Sequence, residues 1–126
     1  MGLFNAKENG INIAGLRVNL AAALAANAQV IYALPTTTGK VGNHTVVLKK
    51  LFFKDNNTGG QIVHIGTGVG AGFVDLIPPI VTINGIAGGW DEGELPEVET
   101  SSDITAYPEA LGGGTIDIQA EVNLRG

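Results

Sequence analysis

The alternation over residues 115–124 constrains this chain most. Ile116, Ile118, Ala120, Val122 and Leu124 are interleaved with Thr115, Asp117, Gln119, Glu121 and Asn123. Successive side chains of an extended strand point to opposite faces, so the five apolar groups share one face and the polar groups the other. A strand of that kind needs a sheet with one wet side and one buried side, as in an antiparallel sandwich or barrel. Composition agrees: 19 glycines supply turns, while 44% hydrophobic residues supply a core and exclude ordinary disorder. At 126 residues one core is expected. The expected fold is all-β, an antiparallel β-sandwich, with a jelly roll as one form it could take.

Further strands are predicted at residues 29–34, 45–54, 61–65, 72–77, 80–84 and 103–107, which are rich in branched and aromatic side chains. The run Asp55-Asn56-Asn57-Thr58-Gly59-Gly60 has turn chemistry, so residues 45–54 and 61–65 are expected to form a hairpin with a longer loop. Pro78-Pro79 must interrupt the ladder, because neither proline has an N–H to donate. Residues 1–28 read as an N-terminal arm and residues 29–126 as a single sandwich domain. Within the arm, Leu16, Leu20 and Leu24 recur at the spacing of one helical face among alanines, which predicts a short helix over residues 16–28. Asn19, Asn27 and the lack of a strong cap favour an extended arm instead, and both readings stand open.

Several function classes are disfavoured. There is no cysteine, hence no disulfide and no thiolate chemistry. Residues 1–6 lack the basic flank and apolar run of a signal peptide, and Ala6 stands where a myristoylation motif wants Ser or Thr, so neither export nor lipid anchoring is expected. The longest apolar stretch, residues 11–34, is broken by Arg17, Asn19, Asn27 and Gln29, so no membrane association is expected. The net charge of -5 is divided unevenly: residues 1–70 carry six basic and two acidic side chains, residues 71–126 one basic and ten acidic. Nucleic acid requires a concentrated basic surface, so it is not an expected partner. Opposed charge along one chain can instead steer contact between copies or merely mark two differently solvated faces.

Several local motifs carry groups with chemical potential. Gly66-Thr67-Gly68-Val69-Gly70-Ala71 fits the spacing of a dinucleotide fingerprint, but residues 73–79 cannot form the helix that must receive the pyrophosphate, so a loop is expected. Asp55, Asn57 and Gly60 imitate the start of a calcium loop, yet Gly59 and Gly66 occupy places that need oxygen ligands, and a turn is the better reading. Six carboxylates crowd residues 91–103 beside Trp90. That run is a solvated loop, an acidic contact for a basic neighbour or a cation site, and Trp90 either covers the core edge or anchors an interface. Lys49, Lys50 and Lys54 flank Leu51-Phe52-Phe53, either guarding an edge strand or meeting the acidic loop of an adjacent copy. The candidate interface residues are therefore Lys49, Lys50, Lys54, Trp90, Asp91, Glu92 and Glu94. His44, His64 and Asp75 could form a metal site if the fold joined them, although nothing in their spacing does so. Ser101 and Ser102, the only serines, sit in no nucleophile context. The sequons at Asn43 and Asn56 matter only in an exported chain. No catalytic residue, metal or cofactor is expected.

Residues 51–66 (Leu-Phe-Phe-Lys-Asp-Asn-Asn-Thr-Gly-Gly-Gln-Ile-Val-His-Ile-Gly), the step Leu76-Ile77-Pro78-Pro79-Ile80 and the glycine-led strand over residues 114–124 resemble small β proteins of tailed-phage particles. The resemblance, one of style over residues 45–124, implies a non-enzymatic virion structural role as a head-decoration or cement subunit. It implies a homo-oligomer, with a trimer favoured, and a capsid protein as partner. The chain would then lie on the virion surface if phage-encoded, and in the cytoplasm otherwise. A carbohydrate- or receptor-binding module using Trp90, Tyr32 or Tyr107 as a stacking platform is the alternative. A metal-dependent enzyme built on His44 and His64 is the third reading.

Overall fold

The computed structural model describes residues 10–35, 44–57, 60–82, 87–90 and 94–125. Its strands are β1 (Ile11–Ala14), β2 (Val18–Leu20), β3 (Gln29–Tyr32), β4 (Thr45–Asp55), β5 (Ile62–Thr67), β6 (Val74–Asp75), β7 (Ile80–Val81), β8 (Ala87–Trp90), β9 (Glu99–Thr100), β10 (Ile104–Pro108) and β11 (Ile116–Arg125). All pair antiparallel, in two sheets that pack as a β-sandwich. In the first sheet β11 lies between β4 and the successive strands β1 and β2, while β8 and β9 line the far side of β4. The second sheet runs β3, β10, β5, with β6 and β7 both on the outer side of β5. Counting each such pair as one position gives two four-position sheets, in the order expected of a jelly roll. Among the described residues no helix is long and apolar enough to cross a membrane.

The two longest strands, β4 and β11, form the spine of the first sheet. On β11, Ile116, Ile118, Ala120 and Val122 are fully buried, as the alternation predicts. Strand β4 keeps no such period, since Val46, Leu48, Leu51 and Phe53 all belong to the core. A bulge reconciles them: Glu121 pairs with Lys50 and Val122 with Leu48, leaving Lys49 as an extra residue. One inserted residue reverses the parity of the strand, so both halves present their apolar side chains to the same face. These groups meet Ile31, Val63, Ile65, Ile104 and Ala106 of the second sheet. Each large one contributes roughly 1.5–3 kcal/mol of transfer free energy.

One expectation fails, and one open alternative is decided in favour of extended chain. Residues 45–54 and 61–65 do not form a hairpin, because β4 lies in the first sheet and β5 in the second. The connection between them crosses the sandwich at a buried polar corner. Asp55 ends β4 on its inward face, and Asp55 Oδ1 accepts from the Asn57 backbone N–H at 2.8 Å and Asn57 Nδ2 at 2.9 Å. Its Oδ2 accepts from the Thr82 hydroxyl at 2.6 Å, and that hydroxyl accepts from the Gln61 N–H at 2.9 Å. Asn57 Oδ1 in turn accepts from the N–H groups of Gly112 and Gly114, both at 2.9 Å. The corner thus binds the end of β4, the approach to β5, the exit of β7 and the loop before β11. Burial pushes the Asp55 carboxyl up, but the bonds from Thr82 and Asn57 outweigh it and hold the group below its ordinary range.

No α-helix forms over residues 16–28. Val18 and Leu20 pair with Ile118 and Ile116, and only a 3-10 turn, Ala25–Asn27, follows. The three leucines that suggested a helical face are divided: Leu20 is 1% exposed, Leu16 84% and Leu24 62%. The open edge of β11 offers this uncapped segment ladder bonds, and Asn19 adds side-chain bonds to Thr115 and Asp117, both at 2.9 Å. Leu24 adopts φ 77° and ψ 153°, a region nearly closed to residues with a Cβ, while its N–H donates to the Pro108 carbonyl at 2.9 Å. Residues 11–14, expected within an arm, pair with residues 121–124 of β11.

Candidate functional site

The lysines of β4 do not guard an edge, because β4 has β11 on one side and β8 and β9 on the other. The bulge places Lys49 and Lys50 consecutively on the solvent face. Lys49 forms an ion pair with Glu97 of the acidic run, a contact made within one chain. Lys50 stands opposite Glu121 in register and Lys54 opposite Asp117. Asp117 also takes Arg17 Nη2 at 2.8 Å; the Asn19 bond, against burial and with help from Arg17, holds its carboxyl below the ordinary range. Trp90 ends β8 opposite Leu51, and Glu94 is exposed beside a shallow groove that includes Ile77, Pro78 and Leu95. Asp91 and Glu92 lie outside the described residues, as does Asn43 of the first sequon.

Across the molecule, the outer edges of β1 and β2 in the first sheet adjoin β3, the edge of the second. Between them lies an apolar slot of about 360 Å³ lined by Ala14, Leu16, Val18, Val30, Ile31 and Tyr32. Leu16, 84% exposed, and Val30, 45% exposed, stand at its mouth. Apolar side chains this exposed, one on the edge strand β3 and one on the link between β1 and β2, are the kind of surface that binds other protein.

A group of ionisable side chains, His64, Asp75, Tyr107 and Glu109, meets on the outer face of the second sheet. His64 alternates with the buried Val63 and Ile65 of β5, so its ring faces outward. Its neighbour on β10 in register is Tyr107, whose ring stacks on it at 4.7 Å and 9°. Phe73 closes the other side edge-on, 6.3 Å from the His64 ring and 4.7 Å from that of Tyr107. Phe73 can lie there because Gly66 leaves room; a Cβ at that position would strike the Val74 carbonyl oxygen and the Phe73 ring. The two ring nitrogens of His64 are engaged by two carboxylates, Nδ1 with Asp75 at 2.8 Å and Nε2 with Glu109 at 2.6 Å. Burial pushes the His64 ring down, yet the bonds to Glu109 and Asp75 together with their charges raise it above its ordinary value. Burial, then the charges of Asp75 and Glu109, push the Tyr107 phenol up.

This arrangement joins His64 to Asp75, as one sequence reading required, but through a clamp and not through convergent ligands. The two carboxylates lie on opposite nitrogens of one ring, so they cannot share an ion with it. Among the described residues no group of three or more His, Cys, Asp or Glu is arranged to hold a metal. Asp55 and Asn57, the calcium-like pair, spend their oxygens on each other and on Thr82 and backbone N–H groups. After Thr67 the glycine-rich loop makes only the 3-10 turn Gly70–Gly72 before extended chain, as the loop reading expects. Nothing in the sequence pattern marks Glu109 as a site residue; its signal is its place directly after Pro108, two residues from the outward-facing Tyr107. No protein-family model matches this sequence, and no curated protein matches it either.

Proposed function

We propose that this chain is a non-enzymatic structural subunit, a decoration or cement protein of a virion shell, that acts by seating its open sheet edges on neighbouring protein. The observation that carries the reading is the slot between β2 and β3, with Leu16 and Val30 displayed at its mouth. Burying such edges against adjoining copies or a capsid subunit removes apolar surface and covers unpaired backbone groups together. The in-chain pairing of Lys49 with Glu97 moves the expected contact away from the charged residues of β4 and toward this slot. A symmetric trimer is the assembly the reading favours.

The test combines light scattering on gel-filtered protein with co-sedimentation on phage shells. The double variant Leu16→Glu, Val30→Glu is expected to shift the assembly to monomer and abolish sedimentation while the melting temperature stays near that of the parent. A parent chain that remains monomeric at high concentration and ignores shells would sink the reading. The alternative, a carbohydrate- or receptor-binding module, is weakened by Tyr107, whose ring face is already covered by His64. It rests on Tyr32, in the slot, and on Trp90; glycan-array binding lost in Trp90→Ala would favour it.

A further inference from the structure

We propose that His64 is a latch operated by pH, whose imidazolium fastens the edge strand β6 to β5 and whose deprotonation lets β6 go. The geometry requires the charged form. A carboxylate can only accept, and both ring nitrogens face carboxylates at 2.8 and 2.6 Å, so both must donate. A neutral imidazole keeps one N–H and turns a lone pair toward the other carboxylate, replacing a bond between opposite charges with repulsion between acceptors.

The two sides of the clamp differ in the ring contact. Glu109 and Asp75 are each tied to β5 through the backbone, Glu109 by its N–H to the Ile62 carbonyl at 2.9 Å and Asp75 in the ladder with Gly66, but the ring contact of Glu109 is the shorter one. The remaining proton therefore stays on Nε2, and the bond lost is that from Nδ1 to Asp75. Asp75 belongs to a two-residue strand that meets β5 at Gly66 and Thr67, followed by the N–H groups of Leu76 and Ile77 to the Ile65 carbonyl at 2.8 and 3.4 Å. With so short a ladder, the imidazolium adds a side-chain tie to β6 between its flanking contacts, the Phe73 ring on Tyr107 before it and the buried Ile77 after it. The groups facing the ring are Asp75 from β6, Glu109 from the turn after β10, the Tyr107 phenol from β10, and Phe73 from the segment before β6.

The direction in pH follows from the raised folded value of His64. Stabilisation by the latch is complete below 6.5, the ordinary histidine value, and is lost as pH rises through the folded value above it. The experiment is a ring-nitrogen NMR titration of the full chain, paired with amide hydrogen exchange of β6 corrected for intrinsic pH dependence. Both His64 nitrogens are expected to be protonated at acidic pH, with a midpoint above 6.5. Across that midpoint, exchange at Asp75 and Leu76 should accelerate by about tenfold or more, while Val81 of β7 stays unchanged. His64→Gln should remove the step. Glu109→Gln, at a side chain 49% exposed, should keep the fold and lower the midpoint, so the latch remains testable if the first variant is unstable. A midpoint at or below 6.5, or a β6 exchange profile that is the same in wild type and His64→Gln, overturns the proposal.

Discussion

Asp55 and Asp75 are carboxylates at the ends of strands, each held by side chains far away in sequence, yet they hold the fold on different terms. Asp55 is fully buried and satisfied by neutral donors, the Asn57 backbone and amide and the Thr82 hydroxyl. Asp75 has a side chain 45% exposed and is satisfied by one imidazolium. A buried carboxylate with neutral donors stays charged throughout the neutral range, so its corner is permanent there. A half-exposed carboxylate facing histidine is held only while the histidine is charged, so its strand is conditional. Permanent and conditional attachments are thus built into opposite ends of β5 and its neighbours.

The largest effect of a substitution is expected at the corner. Asp55→Ala should cost about 3 kcal/mol in urea unfolding at neutral pH, because it removes the charged acceptor of the Asn57 backbone N–H and leaves Asn57 Nδ2 and the Thr82 hydroxyl with only their longer bonds to the Thr115 and Gln61 carbonyls. The lowered folded value of Asp55 gives a contribution that is present above 3.8 and lost as pH falls through the folded value. The acid branch of a stability profile should therefore flatten in this variant while the branch above 6.5, set by His64, persists. If both branches change together, the two sites are not independent.

A smaller effect is expected on the conditional side. Gly66→Ala places a methyl group against the Val74 carbonyl and the Phe73 ring, and should cost about 2 kcal/mol in thermal melting. Displacing β6 in this way should also remove the pH step in β6 exchange, although His64 itself is untouched. The smallest change calibrates the others from outside both sites. Leu24→Gly relieves the φ 77° backbone and should raise stability by about 0.5 kcal/mol at every pH, since no titrating group is involved. A pH-dependent gain would mean that this turn shares in the latch through Pro108, whose carbonyl accepts the Leu24 N–H beside Glu109.

The parts of the fold legible in the sequence are those governed by period. Strand β11 declares its buried face because every second side chain is apolar, and β3, β5 and β10 are marked by branched residues. Strand β4 is visible as a strand, but its place at the centre of a sheet is not: the bulge makes Lys49 and Lys50 consecutive outward residues, which by local pattern look like an edge defence. Whether Asp55 to Gly60 closes a hairpin or crosses between sheets depends on Thr82 and Gly112 to Gly114, which lie far along the chain. Strands β1, β2, β8 and β9 are too short, or too rich in glycine, to carry a period, and form because β11 and β4 offer them open edges. At the candidate site, the outward direction of His64 can be read from Val63 and Ile65 on either side. Its second carboxylate cannot, because only strand register brings the region of Pro108 beside Val63.

Strand β11 follows every other strand of the sandwich in the chain, yet it occupies the middle of the first sheet, with β4 on one flank and β1 and β2 on the other. Until it arrives, β4 lacks its longest partner and β1 and β2 have none, so the spine of that sheet cannot nucleate from local contacts. Such topology folds slowly, on the scale of milliseconds to seconds, because distant segments must meet before the ladder rewards them. During that interval the apolar face of β4 is open to other chains, so the yield of folded protein should fall as nascent molecules become more concentrated.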